Sequence, residues 1–552
     1  MAARVRIARY LIDRLSALGV RHVFGVPGDY VLSFYRELAG GPLQIVNTCD
    51  EQGAGFAADG YARVNGLGVV CITYCVGGLK VANSTAQAFA EKSPVVVISG
   101  APGTTERAKN PLLHHKVRDF DTQLKVFEQL TAAAIVLSDA HSAFREIDRV
   151  LAAALRYKRP VYIELPRDMV AAGGSAAHTP AAPPEGSDAN ALREALREAT
   201  AMINAARQPV IIAGVELHRF GLQDALLQLV DTTGLPVTAT LLSKSVIAEG
   251  HPSYLGVYEG AICHEDVRAY VEASDCIVLL GAPMSDIDLG IFTARLEQAN
   301  TISVTSEKLS IRFHTYEDVR LDDFLHGLIG APIQRRAPQP APHPQAPAPF
   351  TAVPGAPVTV ERLFQRLNAF LDDDTVVIAD PGDALLAGAD LFIRGRTEFL
   401  SPAYYTSLGF AVPAALGVQL AKPALRPLVL VGDGAFQMTG TELSTIARYR
   451  LNPIVVVLDN CGYGTERPMF DGAFNDVLPW RYSRLPELLG AGTGFDVSSE
   501  EQLDAALEAA RACSSGFSIL DVHLDRRDAS PALQRLTASL RKRVGSPDHT
   551  AT

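Results

Sequence analysis

Residues 428–443 read LVLVGDGAFQMTGTEL, and a little further on residues 454–466 read IVVVLDNCGYGTE. Each begins as an unbroken run of β-branched residues and leucine, the pattern of a strand covered on both faces. Gly432, Asp433 and Gly434 end the first run, and a helical pattern follows; Asp459, Asn460, Cys461 and Gly462 end the second. Open parallel sheets bind ligands beyond the carboxyl ends of their strands, so the two turns are expected to face one crevice. A carboxylate, an amide oxygen and a backbone carbonyl meeting there are hard oxygen ligands suited to Mg²⁺, which would keep waters and take diphosphate oxygens. The helix start after Gly434 adds backbone N–H groups and a dipole that favours phosphate.

The same kind of run recurs along the chain: VVCITY from 69, VVVIS from 95, VYIEL from 161, VIIAG from 210, CIVLL from 276 and VVIA from 376. Helical patterns lie between them, which predicts parallel sheets covered by helices. Residues 171–190 and 332–357 break the pattern with Pro, Ala and Gly and have no apolar period, so they are expected to be linkers, the second a stiff, extended one. The chain of 552 residues then divides into three α/β units at about 1–175, 190–330 and 357–552.

Composition narrows the function classes. A formal net charge of −11 with scattered basic residues argues against a nucleic-acid partner. No apolar stretch is long enough to span a membrane, and the arginines and aspartate among the first twenty residues predict an amphipathic helix and no export signal. The seven dispersed cysteines show neither zinc nor dithiol spacing and point to a reducing cytoplasm. No strand run is followed by the glycine fingerprint of a dinucleotide-binding dehydrogenase; GAGTG at 490–494 follows a helical pattern.

Three stretches of the first unit hold candidate chemistry. GVPGDY (25–30) puts Asp29 just past a strand end; CDEQGAGFAADGYAR (49–63) starts a helix at Glu51; LLHH puts His114 and His115 in a loop before a helix beginning near Asp121. By themselves these are equally a turn residue, a helix N-terminal charge and a polar surface pair. The apolar period Ala54, Ala57, Ala58, Tyr61 would carry Glu51 into the packing surface.

Taken together with SPAYYTSLGFAVPAALG (401–417), these motifs resemble the thiamine diphosphate-dependent 2-oxo acid decarboxylases of the pyruvate, indolepyruvate and phenylpyruvate branch. The resemblance implies three doubly wound parallel-sheet domains: pyrimidine-binding, central Rossmann-like and diphosphate-binding. It implies that Asp433, Asn460 and the Gly462 carbonyl hold Mg²⁺, and that Gly432, Gly434, Ala435 and Tyr463 contact the cofactor. Ser407 and Leu408 fall in the segment that grips the pyrimidine half, with Leu408 as the bulky wedge beneath the bent cofactor. Glu51 is implied to hydrogen-bond the pyrimidine ring. Asp29, His114, His115 and Glu466, the last on a short helix after the metal loop, are implied to move protons.

The family commonly has two consecutive asparagines where this chain has Asp459–Asn460. Leu385 and Thr465 replace larger residues of pyruvate-specialised relatives, which favours phenylpyruvate, indolepyruvate or a branched-chain 2-oxo acid. The histidine pair argues against a carboligase of the acetolactate synthase type. The resemblance further implies a homodimer or a homotetramer with each active site between subunits.

Overall fold

The computed structural model describes residues 5–174, 178, 186–395 and 398–544; the parts of the first linker at 175–177 and 179–185 lie outside these. Among the described residues the strands form three sheets. The first contains β1 (His22–Gly25), β2 (Gln44–Asn47), β3 (Gly68–Ile72), β4 (Val95–Ala101), β5 (Ala134–Val136) and β6 (Val161–Pro166). The second runs from β7 (Pro209–Ala213) through β8 (Val237–Ala239), β9 (Tyr254–Val257), β10 (Cys276–Leu280), β11 (Thr301–Val304) and β12 (Leu309–Ile311) to β13 (His314–Tyr316). The third holds β14 (Thr375–Ala379), β15 (Phe399–Leu400), β16 (Arg426–Gly432), β17 (Ile454–Asp459), β18 (Thr493–Val497) and β19 (Ser518–His523).

The strand orders explain the architecture. The first sheet runs β2-β1-β3-β4-β6-β5 and the third β15-β14-β16-β17-β19-β18, which is the same order counted from each unit's own first strand. Both are parallel throughout, as expected of strands whose side chains are buried on both faces. The second runs β13-β12-β11-β10-β7-β8-β9 and is parallel except at one edge, where β11, β12 and β13 pair antiparallel. That hairpin adds to the expected doubly wound sheet without disturbing it. Residues 332–353 form neither helix nor strand, and Arg336 ties the segment to the second unit through the carbonyls of Ile203 and Ala206.

In the first and third units the helix between the second and third strands occupies the equivalent place: Glu51–Asn65 and Ala411–Ala421. These two helices pack on each other more extensively than any other pair of elements. Their glycines let the backbones nearly touch. A Cβ on Gly417 would stand 1.9 Å from the Ala57 carbonyl oxygen, and one on Gly60 would stand 2.7 Å from the Ala414 carbonyl oxygen. Beside the crossing lies a buried ionic group. Arg63 donates to Asp59 at 2.9 Å, to Glu91 at 2.6 Å and to the Ser401 carbonyl at 3.0 Å, with its guanidinium 4.8 Å from the Phe410 ring centre. Glu91 in turn accepts the backbone N–H groups of Tyr404 and Tyr405. Burial works against the Asp59 charge, yet Arg63 holds its pKa below the ordinary carboxylate value.

Substituting Gly417→Ala should therefore force the two helices apart and cost about 1–3 kcal/mol of stability. A lowered thermal unfolding midpoint would report it; an unchanged midpoint would mean that the crossing is looser than these distances state.

Candidate active site

The third sheet presents a cleft at the carboxyl ends of β14, β16 and β17, where its strand order reverses between β14 and β16. It encloses a cavity of about 340 Å³. Gly432 lines it from the end of β16 and Asp433, Gly434 and Ala435 from the helix that follows; Asn460, Gly462, Tyr463, Thr465 and Glu466 line it from the segment after β17; Leu385 comes from the helix Asp383–Ala389 and Leu408 from the turn before Ala411.

Asp433 opens the helix Asp433–Thr439 and is buried. Its carboxylate accepts the N–H of Gly434 at 2.7 Å and of Gly462 at 2.9 Å, so one side chain ties both strand-end turns together. Burial first, and then the neighbouring Asp459, push its pKa up to about 7, despite those two donors. Asn460 Oδ1 is buried without a hydrogen-bond partner, and its amide nitrogen packs over Gly464, where a Cβ would come within 2.6 Å. A carboxylate under this pressure beside an orphaned amide oxygen is a donor set that a divalent cation satisfies.

The loop that carries them is clasped by residues 475–477: Tyr463 N–H donates to Asn475, Val477 N–H donates to Cys461, and Arg467 reaches both the Cys461 carbonyl and Asp476. Gly462, at φ 153°, fits under this clasp because a Cβ would strike the Asn475 carbonyl oxygen at 2.1 Å. Gly434 is needed for the same kind of reason, since the Tyr463 ring would lie 2.7 Å from its Cβ. Glu466 is exposed and lies in a turn rather than on the expected short helix, because the hydrogen bonds over 463–470 do not extend into a regular one.

Leu408 stands between Thr406 and Gly409, both at positive φ, and the turn is held from below by Asp380. The Asp380 carboxylate is fully buried and accepts Gly409 N–H and Ala411 N–H at 2.8 Å each; burial pushes its pKa up to about 7. Sequence reading missed this residue, since a lone aspartate after a strand carries no motif. Ser407 does not line the cavity, and its hydroxyl oxygen instead accepts a 2.7 Å hydrogen bond from Asn83 of the first unit. Also missed were the apolar walls: Leu241, Ile287 and Ile291 from the second unit, Met469, and Leu536 from the helix Pro531–Val544. Asp383 anchors that helix by accepting from Ser530 N–H at 2.9 Å.

The first-unit candidates lie elsewhere: among the described residues, none before Leu241 lines this cavity. Asp29 Oδ2 is 2.7 Å from His114 Nε2, and both side chains are largely open, at 44% and 59% exposure. The His114 ring stacks on Tyr30, with centroids 4.8 Å apart, and meets the His115 ring edge-on at 4.7 Å. His115 has φ 65° and a buried Nδ1 without a partner. Adjacent histidines share no face in regular structure; the left-handed backbone at His115 brings both rings beside Asp29, with one ligand atom of each residue within 4.8 Å of the others. Glu51 opens its helix behind the N-cap Asp50, is 12% exposed, and has its Oε2 2.7 Å from Lys80 Nζ. The structure thus collects the sequence candidates into two groups, one on each of two units.

Three segments match models of the thiamine pyrophosphate enzymes: the N-terminal TPP binding domain over residues 5–124, the central domain over 196–321 and the C-terminal TPP binding domain over 380–522. The chain is 34% identical over 550 residues to an indole-3-pyruvate decarboxylase of Azospirillum brasilense, covering 98% of this chain and 100% of that one. It is 33% identical over 559 residues to an alpha-keto-acid decarboxylase of Mycolicibacterium paratuberculosis, with 98% and 97% covered. An alpha-keto-acid decarboxylase of Mycobacterium tuberculosis is 33% identical over 547 residues, with 97% of each covered.

Asp380→Asn should set an amide N–H₂ against a backbone N–H and leave a buried donor unmet, at a cost of about 1–3 kcal/mol. A lower unfolding midpoint together with weaker thiamine diphosphate binding is the expected result; binding at wild-type strength would show that the Leu408 turn stands without Asp380.

Proposed function

Because the chain belongs to the thiamine pyrophosphate enzymes and is a thiamine diphosphate-dependent 2-oxo acid decarboxylase, we propose that it turns an aromatic or large aliphatic 2-oxo acid into an aldehyde and CO₂ without oxidation. The observation that carries the substrate reading is the cavity wall. Leu385 and Thr465 line the cleft together with the apolar side chains of Leu241, Ile287, Ile291, Met469 and Leu536, a wall that suits a phenyl, indolyl or branched group. The relative named for indole-3-pyruvate supports it.

The cofactor's thiazolium ring supplies the electron sink for decarboxylation, which no protein side chain offers. We assign Mg²⁺ to Asp433, Asn460 and the Gly462 carbonyl, with Gly432, Gly434, Ala435 and Tyr463 around the diphosphate and Leu408 as the wedge that orients the rings. Ser407 keeps its place in this segment through Asn83. Asp433, whose charge burial opposes, and the unpartnered Oδ1 of Asn460 would be the side chains to hold the cation, which would favour the ionised form of Asp433.

Within one chain, Asp29 and His114 lie open to water beside the half-buried His115, and none of the three lines the cleft. Proton transfer needs them beside the substrate and sheltered from solvent. A homodimer, or a tetramer of two dimers, that sets the first unit of one copy over the third unit of another meets that need. There Glu51 faces the pyrimidine ring, while Asp29, His114, His115 and Glu466 exchange protons with the reacting carbon and oxygen as a coupled set. The units 1–175, 190–330 and 357–552 act as pyrimidine-binding, central and diphosphate-binding domains. No described helix is long and apolar enough to cross a membrane, and the seven free cysteines suit the reducing cytoplasm.

Enzyme stripped of cofactor should regain CO₂ release and aldehyde formation only when thiamine diphosphate and Mg²⁺ are both restored, and Glu51→Gln should lower kcat at least about 100-fold. Across a panel of 2-oxo acids, kcat/KM for phenylpyruvate or indolepyruvate should exceed that for pyruvate by about tenfold or more; faster turnover of pyruvate would overturn the substrate assignment.

A further inference from the structure

Both carboxylate oxygens of Glu51 have a neighbour within the chain. Oε1 lies against Gly77, where a Cβ would come within 3.2 Å of it. Oε2 lies 2.7 Å from Lys80 Nζ. Oε1 is backed by the Gly77 loop, and the partner that Oε2 holds is an ammonium. The same ammonium touches Asp50, the N-cap of the Glu51 helix, and the hydrogen bonds that Lys80 donates to Asp50 and Glu51 raise its pKa.

The fold does not need this lysine. It sits in the short 3₁₀ turn Gly78–Val81, which is closed by backbone bonds from Gly78 to Thr73, Leu79 to Cys75 and Lys80 to Gly77. Its side chain is 47% exposed, and its ion pairs among the described residues are those with the two acids. The ammonium is therefore free to move if a better partner takes Oε2.

We propose that Lys80 is a latch on Glu51: it pairs with the carboxylate while the cofactor is absent and is displaced when the pyrimidine ring of thiamine diphosphate docks. The inference rests on the proposed meeting of Glu51 with that ring. A ring nitrogen and an ammonium compete for one oxygen, so loading breaks an ion pair before it makes a hydrogen bond. Because the lysine is half exposed, the penalty is small, about two- to fivefold in affinity. Lys80 is thus a positioning residue that acts through Glu51 and sets how readily the enzyme fills with cofactor.

Isothermal titration of full-length apoprotein with thiamine diphosphate at saturating Mg²⁺ tests this without relying on turnover. Lys80→Gln should bind about two- to fivefold more tightly than wild type, and Lys80→Arg, which keeps the charge, should restore the wild-type affinity. Tighter binding is the telling sign, since damage to structure weakens binding. Equal or weaker binding by Lys80→Gln would overturn the latch. Glu51→Gln separates this from failure of the underlying reading: if that variant binds and turns over as wild type does, Glu51 does not meet the cofactor, and the reading falls together with the latch.

Discussion

The near-contact of two helix backbones, Glu51–Asn65 against Ala411–Ala421, is the constraint from which the rest of the molecule follows. Only glycine at 60 and 417 permits it, since any side chain there would strike a carbonyl of the facing helix. A helix pair held that closely fixes the first sheet relative to the third. The ionic group around Arg63 locks the arrangement, because Asp59 and Glu91 have no solvent to fall back on and each depends on the guanidinium. Glu91 also takes the N–H groups of Tyr404 and Tyr405, so the segment leading to Leu408 is anchored by a carboxylate of the first unit.

The crossing joins equivalent helices of two units with the same strand order, which gives the chain an approximate internal symmetry. Each unit brings its strand-end turns to its own switch point, and no first-unit candidate lines the cleft of the third. On the third unit the result is a cleft with an orphaned amide oxygen and a carboxylate lifted by burial. On the first it is a solvent-facing cluster of Asp29, His114 and His115. Of the proton-transfer candidates the cleft holds only Glu466, while Asp29 and His114 stand exposed on the first unit.

The second unit offers no candidate residue in its sequence, yet its Leu241, Ile287 and Ile291 form part of the cavity wall, together with Leu536 of the helix Pro531–Val544. Substrate size therefore depends on residues scattered over three stretches of chain. No one of them carries a motif, because apolar side chains serve a pocket and a core equally well.

What the sequence determined by itself was local. Continuous β-branched runs identified the central strands β3, β4, β6, β7, β10, β14, β16 and β17, since only strands buried on both faces are apolar throughout. The edge strands escaped, and so did β19, whose Asp521 and His523 interrupt the run. Gly432–Gly434 and Asn460 marked the two strand-end turns that line the cleft, because the chain must turn sharply where a buried strand ends. Tertiary structure alone decided the rest: that Asp380 supports Leu408, that Ser407 is held by Asn83, that Glu51 meets Lys80, and that the candidate groups stand on two separate faces. Each of these is a meeting of residues far apart in sequence or set by an irregular loop, and such meetings follow from how helices and sheets pack, which no local pattern encodes.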